Sequence, residues 1–441
     1  MKLIIHRGTK EIGGSCVEVI AGKTRILIDF GMPLVDENKL SFDEKKLENK
    51  SIAELKAMKV LPDITGVYND EEKKIDAILL SHSHKDHYGL LKYVNPDIPV
   101  YISEGACKLI HVLNVFTHKQ NHSNILKPCI VKHRIGFDIG GLHITPYLVD
   151  HSGFDAMSFL VEEKSTRKSL FYSGDFRASG WKKYLFDSFI KHPPKNVSCL
   201  LMEGTMIERQ ESSFSDEQAV LKGVQEVLKK NNNIVFAYCS GQNIDRIVTF
   251  YKAVRHMKAT FIIDPYIAIV LHVVKNENKN IPQLDWRNIK VLIGNYYGNG
   301  DMYIEKIVKS NLKYLTFDIG KHKIKTWEIG SEKCLVVMRD SMIPLVKQIP
   351  KINGATVIYS QWEGYIRDKE KASKFWNFVD TNNLILKHIH TSGHAVVKDL
   401  KSFNKALRPK ILIPIHTFHA DQYKKLFDNV HILSDDELFE L

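Results

Sequence analysis

Ala77-Ile78-Leu79-Leu80-Ser81-His82-Ser83-His84-Lys85-Asp86-His87 runs from four apolar residues directly into three imidazoles and a carboxylate. The apolar tetrad has the length and branching of a short buried strand, so the donors leave its end in a tight turn. Such a turn can aim two imidazoles one way and a carboxylate with a third imidazole another, which is what two adjacent metal ions require. One histidine is ordinary on a surface or in a hydrogen-bonded core; His82, His84, Asp86 and His87 within six residues are not. Three imidazoles suffice for one ion, so Asp86 beside His87 argues for a second.

Outward from that run, the first half reads as short β-rich segments bounded by Gly, Asp, Pro or Asn, at residues 2–5, 16–20, 25–28, 77–80, 100–102, 143–147, 158–162 and 169–172. Several end on a polar residue that could act: Ile28 on Asp29, Leu80 on Ser81-His82, Val149 on Asp150-His151, Tyr172 on Ser173-Gly174-Asp175. A strand fixes the side chain at its end, so groups from several strand ends can converge on one rim of a sheet sandwich. Between Gly31 and Lys74 a Lys/Glu/Leu-rich excursion predicts a helix near residues 51–58, forming a wall or lid.

From about Glu208 helices (216–230, 243–257) alternate with strands (234–238, 260–263), and the alternation continues to Gly364. That pattern predicts a second α/β domain with a parallel sheet. A helix at 369–379 and two apolar segments ending in histidine, 384–394 and 411–416, close the chain.

The 441 residues suffice for two cores, and 62 basic against 51 acidic side chains leave a formal charge of +11, which favours anionic partners although most lysines sit in mixed-sign solvated runs. Six dispersed cysteines without a C-x-x-C pair exclude a zinc ribbon and a disulfide framework and point to a reducing, cytoplasmic setting. Residues 1–7 lack an apolar h-region, and the most apolar later stretch, 261–274, carries Asp264, Pro265 and His272, so no membrane span is expected.

With these motifs in view the chain resembles the metallo-β-lactamase-fold hydrolases, whose His-x-His-x-Asp-His signature is matched at residues 82–87. Asp29 matches the strand-end Asp that orients the site, His151 in Val-Asp-His-Ser the third-motif ligand, and Asp175 in Tyr-Ser-Gly-Asp-Phe-Arg the bridging carboxylate. The rest of the chain resembles the β-CASP nuclease branch, which includes ribonuclease J: Glu203 in Leu-Met-Glu-Gly-Thr, His394 in His-Thr-Ser-Gly-His-Ala and His416 in Ile-Pro-Ile-His-Thr match its later motifs. Segments 239–246 and 357–362 carry the likeness through the middle of the chain. The resemblance implies an α/β fold, an αββα sandwich with an inserted β-CASP α/β domain, divided as 1–208, 209–368 and 369–441. With 25 residues after His416, it implies a form lacking the extra C-terminal domain of ribonuclease J proteins.

By resemblance, His82, His84 and His151 hold one divalent ion, Asp86, His87 and His416 the other, and Asp175 spans both. Ser392 and His394 contact the scissile phosphate, and Glu203 and Asp29 support the site. Zinc is the first expectation and manganese the second, since imidazole and carboxylate accept both. Water between two cations ionises near neutral pH, so the implied activity is hydrolysis of RNA phosphodiesters by a two-metal-activated hydroxide, from the 5′ end, internally, or both. Single-stranded DNA, a catalytically inactive nucleic-acid-binding subunit and a homodimer are the alternatives carried. His118, His122 and His133 fit no metal spacing; residues 295–300 are read first as an ordinary Gly/Asn/Tyr turn and only second as a base-stacking loop; Gly13-Gly14 is read as a turn near the metals; and His416-Thr417-Phe418 departs from the His-Gly-Glu of many ribonuclease J-like proteins.

Overall fold

The computed structural model describes residues 1–36, 40–117, 127–231, 233–294 and 301–441. Its first sheet has seven strands, in the order Leu438–Glu440, Lys2–Arg7, Cys16–Ala21, Thr24–Ile28, Ala77–Leu79, Val100–Ser103, Pro128–Val131. The second has six: Ile411–Ile415, Cys199–Glu203, Ser169–Tyr172, Met157–Glu163, Leu142–Leu148, Phe137–Ile139.

Side chains alternate along each strand, and both faces of these sheets are covered, which is why the strands read as nearly continuous apolar runs. Ile26 and Ile28 pack with Leu170, Tyr172, Leu201 and Ile413 in a core between the two sheets. Leu27 and Ile78 turn the other way, onto Leu55 of the helix Ile52–Ala57 and Ile110 of the helix Glu104–Phe116. Phe171 and Leu200 turn outward onto Phe189 of Lys183–Lys191 and Phe403 and Leu407 of Val397–Leu407. Helices outside, sheets inside: this is the expected αββα sandwich. Within the 31–74 excursion the helix Ile52–Ala57 starts at Ser51, whose side chain and that of Glu54 satisfy each other's backbone N–H groups in a capping box.

The third sheet is parallel throughout, in the order Lys323–Ile324, Ile289–Leu292, Thr260–Ile263, Cys334–Met338, Ile234–Tyr238, Thr356–Tyr359, Ile385–His388. Parallel neighbours need crossovers, and helices such as Ile244–His256 and Pro265–Val273 lie between consecutive strands. Asn243 and Asp264 cap these two helices by accepting from Arg246 N and Ile267 N. Helix Glu104–Phe116 belongs to two cores at once: Ile110 packs in the sandwich layer, Leu109, Val112 and Phe116 against the third sheet.

One expected boundary moves. The closing segment was expected to begin at 369, but Ile385–His388 pairs with Thr356–Tyr359, and Phe375 and Phe378 of the helix Ser373–Thr381 pack in the third-sheet core. The chain rejoins the sandwich only after residue 388.

All six cysteines are free, and among the described residues no helix is long and apolar enough to cross a membrane. His118, His122 and residues 295–300 lie outside the described residues. His133 accepts the Leu148 N–H through Nδ1 at 2.9 Å, a structural bond.

Candidate metal centre

Five strand ends face one rim. Thr24–Ile28 delivers Asp29; Ala77–Leu79 leads into His82, His84 and the one-turn helix Lys85–Tyr88 with Asp86 and His87; Leu142–Leu148 is followed by His151, Ser169–Tyr172 by Asp175, and Ile411–Ile415 by His416. The structure brings all of them together. His82, His84 and His151 form one donor group and Asp86, His87, Asp175 and His416 another, and within each the donor atoms lie within 4.8 Å of one another. Asp175 stands between the groups. Its Oδ2 is 3.8 Å from His82 Nε2, 4.0 Å from His151 Nε2, 3.2 Å from His87 Nε2 and 3.7 Å from His416 Nε2.

The chemistry of this set fits divalent metal. Nε2 of His82, His87 and His416 and both oxygens of Asp175 are buried and make no hydrogen bond. Each such desolvated group costs about 1–3 kcal/mol if nothing completes it, and a cation would complete all of them together. Burial and the crowding of neighbouring imidazoles hold His82, His151 and His416 well below the ordinary histidine pKa and His84 at about 4, so their lone pairs are free. His87 is the exception: burial opposes its charge, yet Asp175, Asp29 and Asp86 push its pKa well up. The carboxylates demand positive charge at that spot.

A second layer aims these donors. Asp29 Oδ1 accepts Ser81 N at 2.7 Å, and its Oδ2 accepts Ser81 Oγ and Tyr172 OH and meets His87 Nδ1, each at 2.7 Å. With Nδ1 donating to Asp29, His87 is left with Nε2 facing the centre. His151 Nδ1 donates in the same way to Gly393 O at 2.6 Å, and Ser15 Oγ sits 3.0 Å from His416 Nδ1. Asp29 and His416 are held at φ 60° and 54°, a left-handed conformation uncommon for such residues and kept by the surrounding bonds. The backbones of Gly31 and Asp86 touch so closely that a Cβ on Gly31 would lie 1.7 Å from Asp86 O. Gly13 and Gly14 form a positive-φ turn whose Gly13 N–H approaches His416 Nδ1 at 3.3 Å.

His394 stands beside the donors, its Nδ1 3.0 Å from Glu203 Oε2 and 3.7 Å from Asp175 Oδ2. Burial works against its charge, but Glu203 and then Asp175 raise its pKa. Glu203, fully buried, also accepts Phe176 N at 3.0 Å. The Ser392 hydroxyl is turned onto the backbone N–H of His394 at 3.0 Å.

Arg177 carries no motif that marks it along the chain. It is 1% exposed, and its guanidinium meets Asp150 at 3.3 Å, Asp245 at 2.6 Å, Glu217 at 3.6 Å and the Ser392 carbonyl at 3.1 Å. Through Asp245, on the helix Ile244–His256, it ties the third-sheet layer to the segment carrying His394. The only signal was a charged residue directly after Asp175-Phe176.

Residues 59–231 match the family model described as a beta-lactamase superfamily domain. Ribonuclease J of Mycoplasma genitalium is 22% identical over 94% of this chain and 67% of its own length; ribonuclease J of Helicobacter pylori is 21% identical over 93% of this chain and 55% of its own. The chain thus spans between about half and two thirds of these relatives. A crystal structure of a protein of unknown function from Enterococcus faecalis V583 superposes with a TM-score of 0.77 at 18% identity, covering 100% of this chain and 99% of the other, a likeness of fold.

Fold and site define a metallo-β-lactamase-fold hydrolase with an inserted α/β layer. Within that class the chain is similar to ribonuclease J along most of its length.

Proposed function

We propose that this chain is a metal-dependent ribonuclease that hydrolyses phosphodiester bonds of single-stranded RNA at the rim of the sandwich. The observation that supports it most is the convergence of seven donors, with one Asp175 oxygen within 4.0 Å of four imidazole nitrogens, in a chain similar to ribonuclease J along most of its length. Two divalent cations, zinc or manganese, held by His82, His84 and His151 and by Asp86, His87 and His416 with Asp175 shared, would supply Lewis acidity toward a phosphate and ionise water near neutral pH.

The remaining steps fall to the chain's own side chains. His394, kept protonated by Glu203 and Asp175, donates its proton to the leaving oxygen and is re-protonated from solvent; the Glu203 carboxylate fixes that ring and favours its charged form. Asp29 keeps His87 in the tautomer that presents Nε2. Ser392, beside His394, donates its hydroxyl proton to a nonbridging phosphate oxygen. The third-sheet layer, an inserted domain of the chain, acts as the clamp that admits one strand and excludes a stiff duplex. A cytoplasmic setting belongs to the same proposal.

The test is incubation of end-labelled RNA bearing a 5′-monophosphate or 5′-triphosphate with wild-type and Asp86→Ala proteins, beside matched DNA. Wild type should degrade the RNA in a chelator-sensitive manner and Asp86→Ala should not. Mononucleotides would assign a 5′ exonuclease, internal fragments an endonuclease, and preference for DNA the other polymer. Intact RNA with metal-replete wild type would refute the proposal.

A further inference from the structure

The metal chemistry leaves unused an aromatic patch on the same rim. Trp362 and Tyr365 follow the strand Thr356–Tyr359, and their rings meet edge to face at 84° with centroids 5.4 Å apart. They are 42% and 64% exposed. The loop is shaped for the indole, because a Cβ on Gly364 would lie 2.3 Å from it. The Arg209 guanidinium lies 4.5 Å from the Trp362 centroid, on the turn after Glu203 in which Ile207 N donates to Gly204 O and Arg209 N to Met206 O.

Three loops hold this patch beside the metal donors. Ser212, shortly after Arg209, donates through Oγ to the His390 carbonyl, and His390 leads into Ser392 and His394. The Ser360 carbonyl, shortly before Trp362, accepts from Arg246 Nη1 at 2.9 Å, and the same guanidinium donates to Thr391 O. The electrostatics agree: the Tyr365 hydroxyl is raised by desolvation and then by the Asp86 carboxylate, and after burial, His87 and His394, the charge of Arg209 is felt at His416.

Arg209 is half-buried, which works against its charge, and among the described residues no carboxylate pairs with it. An under-compensated guanidinium beside two exposed rings offers an anion site and a stacking surface in one place. Unpaired nucleotides present both complements, a phosphate and a free π-face, whereas bases in a duplex have their faces covered.

We propose that Trp362, Tyr365 and Arg209 form a nucleotide subsite, with a base of a single strand stacked on the aromatic pair and its phosphate held by the guanidinium. The polymer's identity rests on the ribonuclease assignment; the stacking does not.

The test is fluorescence anisotropy of a labelled, phosphorothioate-linked RNA pentamer, which resists hydrolysis, titrated with metal-loaded protein. Trp362→Ala should raise Kd about tenfold and Trp362→Phe much less, while Arg209→Ala should lower the salt slope by about one. Trp327→Ala removes a still more exposed indole toward the opposite edge of the third sheet and should bind as wild type does. A pentamer with one abasic nucleotide at the stacked position should bind wild type as weakly as the full pentamer binds Trp362→Ala. Equal Kd for wild type and Trp362→Ala, no loss from any abasic position, or no binding by wild type would overturn the subsite. Tenfold weakening in Trp362→Ala with no cleavage of ordinary RNA would uphold the subsite and refute the nuclease; cleavage with unchanged Kd would do the reverse.

Discussion

Replacing Arg177 by Met removes a guanidinium that meets three buried carboxylates and a carbonyl. Asp150 keeps one strong partner, the Gly180 N–H at 2.7 Å. Glu217 keeps Arg246 at 3.0 Å. Asp245 has no other cation within 4.0 Å among the described residues, so its charge suffers most. Breaking a buried pair by removing one partner costs about 3–5 kcal/mol, chiefly through the stranded charge. Removing that charge as well should return part of the loss, so the Arg177→Met/Asp245→Leu double variant should be more stable than the sum of its single variants by over ~1 kcal/mol. The assay is urea unfolding followed by circular dichroism, together with amide exchange of residues 391–394. Exchange there should accelerate in Arg177→Met because the Ser392 carbonyl loses its anchor. Additive midpoint shifts together with unchanged exchange would refute the assignment of Arg177 as the tie between the third-sheet layer and the His394 segment.

Asp29→Asn tolerates the left-handed backbone but loses the charge that receives the His87 proton; metal affinity should fall about 10–100-fold, measured by competition with a chromophoric chelator, with little change in fold. His394→Ala should lower single-turnover cleavage about 10²–10⁴-fold while the bound metal, measured by mass spectrometry, stays constant. Glu11, desolvated beside Asp435 and only partly relieved by Arg7, has its pKa pushed up to about 7. Between the unfolded value of 4.5 and that pKa the native state holds a proton the unfolded chain releases, so this group's stabilising contribution is fully present below 4.5 and is lost as pH rises through 7. Glu11→Gln should therefore raise the melting temperature relative to wild type at pH 8, by up to ~3 kcal/mol of stability, and make no difference at pH 4; the opposite trend in calorimetry would contradict the burial argument.

The donor rim was legible because strand ends announce themselves: an apolar run stopping on Asp29, His82, Asp175 or His416 places a polar group where a rigid element ends. The parallel third sheet was legible from strand and helix alternation. Its last strand was not, because residues 384–394 form an apolar run ending in histidine just as 411–416 do, and only the pairing of Ile385 with Thr356 decides which sheet takes it. The Arg177 network was hidden for a related reason. Its partners at 150, 217, 245 and 392 are each unremarkable along the chain, and their meeting is a tertiary fact. The edge strand Leu438–Glu440 is too short for any periodic signal.

The strand Ile411–Ile415 slots beside Cys199–Glu203, and His416 follows it. A polypeptide emerging from the ribosome therefore presents His82, His84, Asp86, His87, His151 and Asp175 early, and His416 only after the whole parallel sheet has been synthesised. During translation the donor set stays one imidazole short until the third-sheet layer is complete.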